Sequence, residues 1–102
     1  MKIIAMGDKD TTIAFNLVGV ESKEVDEENI RENFKSVCSD DSAGVLIMTQ
    51  SIANSIREEI DLWKYHHNLP IIVEVPDKKG KLEIDPLARL IKKTIGIELG
   101  GI

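Results

Sequence analysis

Asp8 and Asp10 stand two residues apart just after Gly7, and their hard carboxylate oxygens suit Mg²⁺. The same side chains also suit a helix cap and a tight turn, and that structural role is expected of them. His66 and His67 are adjacent, so on a helix their rings project about 100° apart. No third ligand type is nearby, and they read as the end of a helix rather than a zinc site. Cys38 is the one cysteine, which excludes an intramolecular disulfide and a cysteine metal cluster. It falls on an apolar helix face, where a buried, inert thiol is expected. Ser51, Ser55 and the histidines show no triad arrangement. Gly7-Asp8-Lys9-Asp10-Thr11-Thr12 has one glycine, not the spaced set that wraps a phosphate, and Gly80-Lys81 lacks a following Ser or Thr. Neither a catalytic residue nor a cofactor is expected.

Four short apolar runs must position these residues: Ile3–Met6, Leu17–Val20, Val45–Met48 and Ile71–Val75. The first, third and fourth are nearly continuous, as in parallel strands covered on both faces. The second is weaker and turns polar after Val20, which suggests an edge strand. Helical patterns lie between them. Asp10–Leu17 offers Ile13, Ala14 and Leu17 and is closed by Gly19. Asp26 can cap a helix with Glu27 and Glu28 in its first turn and Ile30, Phe34, Val37 and Cys38 on one face. Ser51 can cap another that carries Ile52, Ala53, Ile56, Ile60 and Trp63.

A last helix starts at Asp85 and Pro86, where a missing N–H does no harm, and stops near Gly96. Leu87, Leu90, Ile91 and Ile95 form its apolar stripe, with Arg89, Lys92 and Lys93 on the polar face. Residues 78–84 before it, charged and broken by Gly80, read as a linker. The expected organisation is therefore an α/β domain over 1–77, a charged linker over 78–84, and a C-terminal helix and tail over 85–102.

Composition narrows the function. The chain has 102 residues, enough for one compact domain, with 42% hydrophobic and 30% charged residues. Aromatics are 4%, so Ile, Leu, Val and Met must build the core. A net charge of −5 argues against a nucleic-acid or anionic-membrane binder. That charge is uneven: residues 1–77 sum to −8 and residues 78–102 to +3. Basic residues complementing a helix dipole account for part of the shift. No run approaches the ~20 apolar residues of a membrane span, and a cytosolic chain without membrane insertion is expected.

Alternation of strands and helices with short connections implies a small doubly wound sheet with right-handed crossovers. The order 2-1-3-4 would centre the two most apolar runs. In such folds ligands sit at the carboxyl ends of the strands, here Gly7–Asp10, Thr49–Ser51 and Pro76-Asp77. Asp8 and Asp10 there resemble the acidic pocket of a phosphoacceptor receiver domain, a Mg²⁺-dependent signalling module. The central strand ends in Thr49 rather than a phosphorylatable Asp, and no fifth strand with its lysine follows. A flavin or nucleotide enzyme is opposed by the missing glycine loop.

Three stretches carry a fuller resemblance. Met6–Val20 is similar to the "GD-x-D-T-x-x-G-F-x-L-x-G" opening of the F subunits of V-type/A-type ATP synthases. Gly44–Arg57 resembles that family's strand followed by "IA-x-x-I-R", and Leu69–Lys78 resembles its "P-x-I-x-E-I-P-S-K". Ala14 stands in place of a glycine, Asp77 in place of a serine, and Glu83-Ile84-Asp85-Pro86 keeps only the Asp-Pro of "Y-D-P". The resemblance runs in register over nearly the whole chain. It implies a Rossmann-like domain and a C-terminal helix in the central stalk of a rotary ATPase, a non-catalytic rotor part. The implied partners are the coiled-coil D component of the stalk, the component joining the stalk to the membrane ring, and the A/B catalytic hexamer reached by the C-terminal helix. The implied place is the cytoplasmic side, peripheral to the membrane. Leu87, Arg89, Leu90, Ile91, Lys92, Lys93 and Ile95 are then the candidate partner-facing residues.

Overall fold

The computed structural model describes residues 1–77. The expected linker and C-terminal helix lie outside the described residues. The chain alternates β1 (Lys2–Gly7), α1 (Lys9–Leu17), β2 (Glu21–Glu24), α2 (Ile30–Cys38), β3 (Ala43–Thr49), α3 (Gln50–Ser55), α4 (Arg57–His66) and β4 (Ile71–Val75). The strands form one parallel sheet in the order β2-β1-β3-β4. Fold class and strand order are those expected.

β3 reads AGVLIMT and is buried along its whole length, because side chains that alternate across the sheet enter a core on either side. Leu46 and Met48 join Ile4 and Met6 of β1 beneath α2, α3 and α4, against Phe34, Ile56 and Ile60. Val45 and Ile47 join Ala5 on the other face, where Phe15 and Val18 are the large contributions from the α1 region. Pairing Ile4 with Leu46 and Met6 with Met48 keeps the two central strands in step.

The second strand differs from expectation. Val18 and Val20 are buried, but they belong to the turn that ends α1: both donate their N–H to the Phe15 carbonyl, at 3.1 and 3.0 Å. Gly19 between them has φ +85°, a left-handed position that favours glycine after a helix. The strand is the polar Glu21–Glu24, at the edge of the sheet, paired to β1 from Ile4 opposite Glu21 to Gly7 opposite Glu24. Backbone pairing and Ser22, whose Oγ lies 3.0 Å from the Thr12 carbonyl and 2.8 Å from Asn16 Oδ1, hold it in place.

Two helix starts also move. Asp26 accepts the N–H groups of Glu28 and Asn29 at 2.9 Å, while Asn29 Oδ1 accepts the N–H of Asp26 at 2.8 Å. This reciprocal pair closes a turn, and α2 itself begins one turn later at Ile30. The helix expected to run from Ser51 to Trp63 is two helices. Ile56, with φ −128° and ψ 36°, leaves the helical conformation between them. Its side chain is fully buried beside Ala53 and Ile60, so the break keeps one continuous apolar face on the sheet.

Candidate functional site

The carboxyl ends of the strands are where a ligand would bind in this fold. β1 ends at Gly7, and Asp8 caps α1: its Oδ1 accepts the Thr11 N–H at 2.8 Å and its carbonyl accepts the Thr12 N–H at 2.9 Å. The approach is tight. A Cβ on Gly7 would lie 2.7 Å from Thr11 Cγ2 and 2.9 Å from Thr11 Cβ, so the first turn of α1 demands glycine. Asp10 is exposed in that turn, at the positive end of the helix dipole.

β3 ends at the buried Thr49, which is the N-cap residue of α3 but makes no side-chain cap bond. Ser51, the expected cap, is itself the donor. Its N–H and its hydroxyl go to the two carboxylate oxygens of Asp77, at 2.7 Å each. A residue just past β4 thus caps a helix whose first turn lies 26 positions earlier. One layer deeper, Arg57 grips Glu74 of β4 with two hydrogen bonds, 2.6 and 2.7 Å, and reaches Asn54 Oδ1 at 2.6 Å. The guanidinium holds the Glu74 carboxyl below its ordinary value, and the carboxylate raises Arg57 in return. These groups satisfy one another; chemically they tie α3, α4 and β4 together at the point where the chain leaves the sheet.

The other candidates also have structural partners. His66 ends α4, and His67 is its C-cap, donating its N–H to the Trp63 carbonyl at 2.9 Å with its ring stacked on the indole at 3.6 Å. Cys38 is buried against the core beneath α2, and burial pushes its thiol up to about 11, far from the reactive range. Ser55 donates its hydroxyl to the Ile52 carbonyl at 2.7 Å. Among the described residues no cluster of three or more His, Cys, Asp or Glu is placed to hold a metal ion. No described helix is long and apolar enough to cross a membrane.

Leu87, Arg89, Leu90, Ile91, Lys92, Lys93 and Ile95 lie outside the described residues. The sheet nevertheless offers apolar surface on the α1 side. Ile3, Val45 and Ile71 share one row across β1, β3 and β4, and Ile47 and Val73 share the next. Ile71 is 55% exposed, and Ile3 and Val73 are half-buried. The Asp77 clasp and the Arg57–Glu74 pair carry no local sequence signal, because each joins residues far apart in the chain.

Similarity to known proteins decides what this scaffold belongs to. Residues 3–94 match the family described as ATP synthase (F/14-kDa) subunit. The chain belongs to that family. It is 33% identical to the A-type ATP synthase F subunit of Pyrococcus abyssi, over 97% of this chain and 98% of that protein. It is 37% identical to the A-type ATP synthase F subunit of Methanothermobacter thermautotrophicus, covering 95% and 94%. The corresponding protein of Methanocaldococcus jannaschii is 37% identical, covering 97% and 99%. The resemblance seen in three motifs therefore extends over nearly the full length. The chain stands among the F subunits of A-type ATP synthases, and its Rossmann-like sheet fits that assignment.

Proposed function

We propose that this F-family chain is a non-catalytic part of the central stalk, binding the coiled-coil D component and helping couple ATP turnover to ion translocation. The supporting observation is the family match through residue 94, which takes in the basic C-terminal segment as well as the sheet. A rotor part needs rigid packing and partner surfaces, and the ties among Ser51, Asp77, Arg57 and Glu74 supply rigidity where the chain leaves the sheet. ATP chemistry belongs to the A/B hexamer. The domain rests beside the coiled coil near the ring-connecting component, on the cytoplasmic side and peripheral to the membrane.

Residues 85–102 supply a helix, ending near Gly96, and a tail; Leu87, Leu90, Ile91 and Ile95 of that helix dock on an apolar surface, with Arg89, Lys92 and Lys93 as a charged rim. The helix changes place between a compact state and one extended toward the A/B hexamer. Gly80 and its charged neighbours in 78–84 offer little apolar surface to lock either state. The test is a rotary complex reconstituted with the full chain or with a chain ending at residue 84. Altered ATPase stimulation or weakened stalk coupling in the shortened complex supports the role. Unchanged assembly and activity refute it.

A further inference from the structure

The aromatic residues of this chain are few, and they are not spread evenly. Phe34, Trp63 and Tyr65 lie on α2 and α4, on one side of the sheet, leaving Phe15 alone on the other. Between α2 and α4 runs a cleft of about 380 Å³. Phe34, Leu62 and the Trp63–His67 stack supply its apolar surface, and Leu62 is 61% exposed. Trp63 is fixed by its Nε1–H, which donates to the Leu69 carbonyl at 3.3 Å. Enriched aromatics around a preformed apolar cleft mark an interface core.

The rim is cationic on an acidic body. Arg31 and Lys35 line it from α2, facing Glu59 of α4, which Arg31 pairs at 2.9 Å while also reaching the Ser55 carbonyl. Glu59 also feels the charge of Lys35, so two cations, Arg31 and Lys35, face one carboxylate, with His66 and His67 closing the far end, although residues 1–77 sum to −8. The chain's own residues 78–102 carry +3, so like charge disfavours them as the occupant. A groove between two helices accepts the side-chain ridge of a third.

We infer that the α2/α4 cleft seats an amphipathic helix of a partner, apolar residues on Phe34, Leu62 and Trp63 and acidic residues against Lys35 and Arg31. This deepens the stalk reading, on which it rests, by naming which side of the sheet meets a coiled coil and the chemistry of the contacting helix.

The test titrates the full chain with the purified coiled-coil stalk component of the same rotary complex. Leu62→Glu and Lys35→Glu alter exposed side chains, so the fold survives, as circular dichroism will show. Each is expected to weaken binding by about tenfold or more, as for a hot-spot contact. Leu17→Glu and Ile13→Glu, both exposed on α1 on the other side of the sheet, should leave affinity within about twofold. Trp63, the chain's one tryptophan, should shift its emission on binding. Wild-type affinity in both cleft variants, or binding without a Trp63 shift, overturns the cleft assignment and leaves the stalk reading standing. No complex with the wild-type chain overturns both.

Discussion

Asp8 separates two accounts of the strand ends, a helix cap and a metal ligand. Its Oδ1 meets the Thr11 N–H at 2.8 Å, so Asp8→Ala leaves that amide of the first turn without its partner. Losing such a cap costs about 1 kcal/mol, with loss of the favourable charge at the helix dipole included in the upper part of the range. For a domain of this size that lowers Tm by about 4–8 °C. Asn and Ser keep an acceptor at the same place, so Asp8→Asn and Asp8→Ser should lose only about a few tenths of a kcal/mol. The assay is thermal unfolding of the four proteins with and without Mg²⁺. A ligand present at about 100 times its Kd would stabilise the wild type by about 2.7 kcal/mol, and no such rise is expected. Asp8→Asn as harmful as Asp8→Ala, together with a Mg²⁺-dependent Tm in the wild type alone, would refute the cap account.

Other consequences follow from the packing and ion pairs. Gly7→Ala forces a Cβ to within 2.7 Å of Thr11 Cγ2. It should cost about 1–3 kcal/mol in urea unfolding, relieved in part by Thr11→Ser; a neutral Gly7→Ala would show that α1 can shift freely. Glu74 is held below its ordinary value of 4.5 by Arg57. The pair's stabilisation is therefore complete above that value and lost as pH falls through the lowered native one. Glu74→Gln should flatten that part of the acid limb, and an unchanged limb contradicts the assignment. Cys38, pushed up to about 11 by burial, should react with a disulfide reagent at neutral pH far more slowly in the native chain than in urea. Equal rates would place the thiol at the surface.

Legibility in the sequence tracked hydrophobicity. β1, β3 and β4 lie where continuous apolar runs predict them, because strands covered on both faces are apolar at every position. β2 lies four residues beyond the run that predicts it. Val18 and Val20 are apolar since they plug the turn after α1, whereas Glu21–Glu24 is a strand by backbone pairing and the Ser22 hydroxyl rather than by apolar burial. The break at Ile56 carries no glycine or proline, and an unbroken apolar stripe runs through it from Ala53 to Ile60. Asp26 does act as a cap-like acceptor, but for a turn that precedes α2.

The site followed the same division. Asp8 as a helix cap is a local relation across three residues and could be read from spacing. Asp77 on Ser51 and Arg57 on Glu74 join residues 26 and 17 positions apart, and only the folded sheet brings them together. The α2/α4 cleft is likewise a product of packing, since Phe34, Leu62 and Trp63 are ordinary residues within their own helices. The charge step near Asp77 was visible from composition, and the structure adds that Asp77 itself is clasped to α3 at that boundary.

The most direct test of the central claim is the mass of the species formed when the full chain and the coiled-coil stalk component are mixed at micromolar concentration. Membership of the ATP synthase (F/14-kDa) subunit family and the stalk role predict one stable complex containing one copy of each. Two species that keep their separate masses under those conditions would contradict the account.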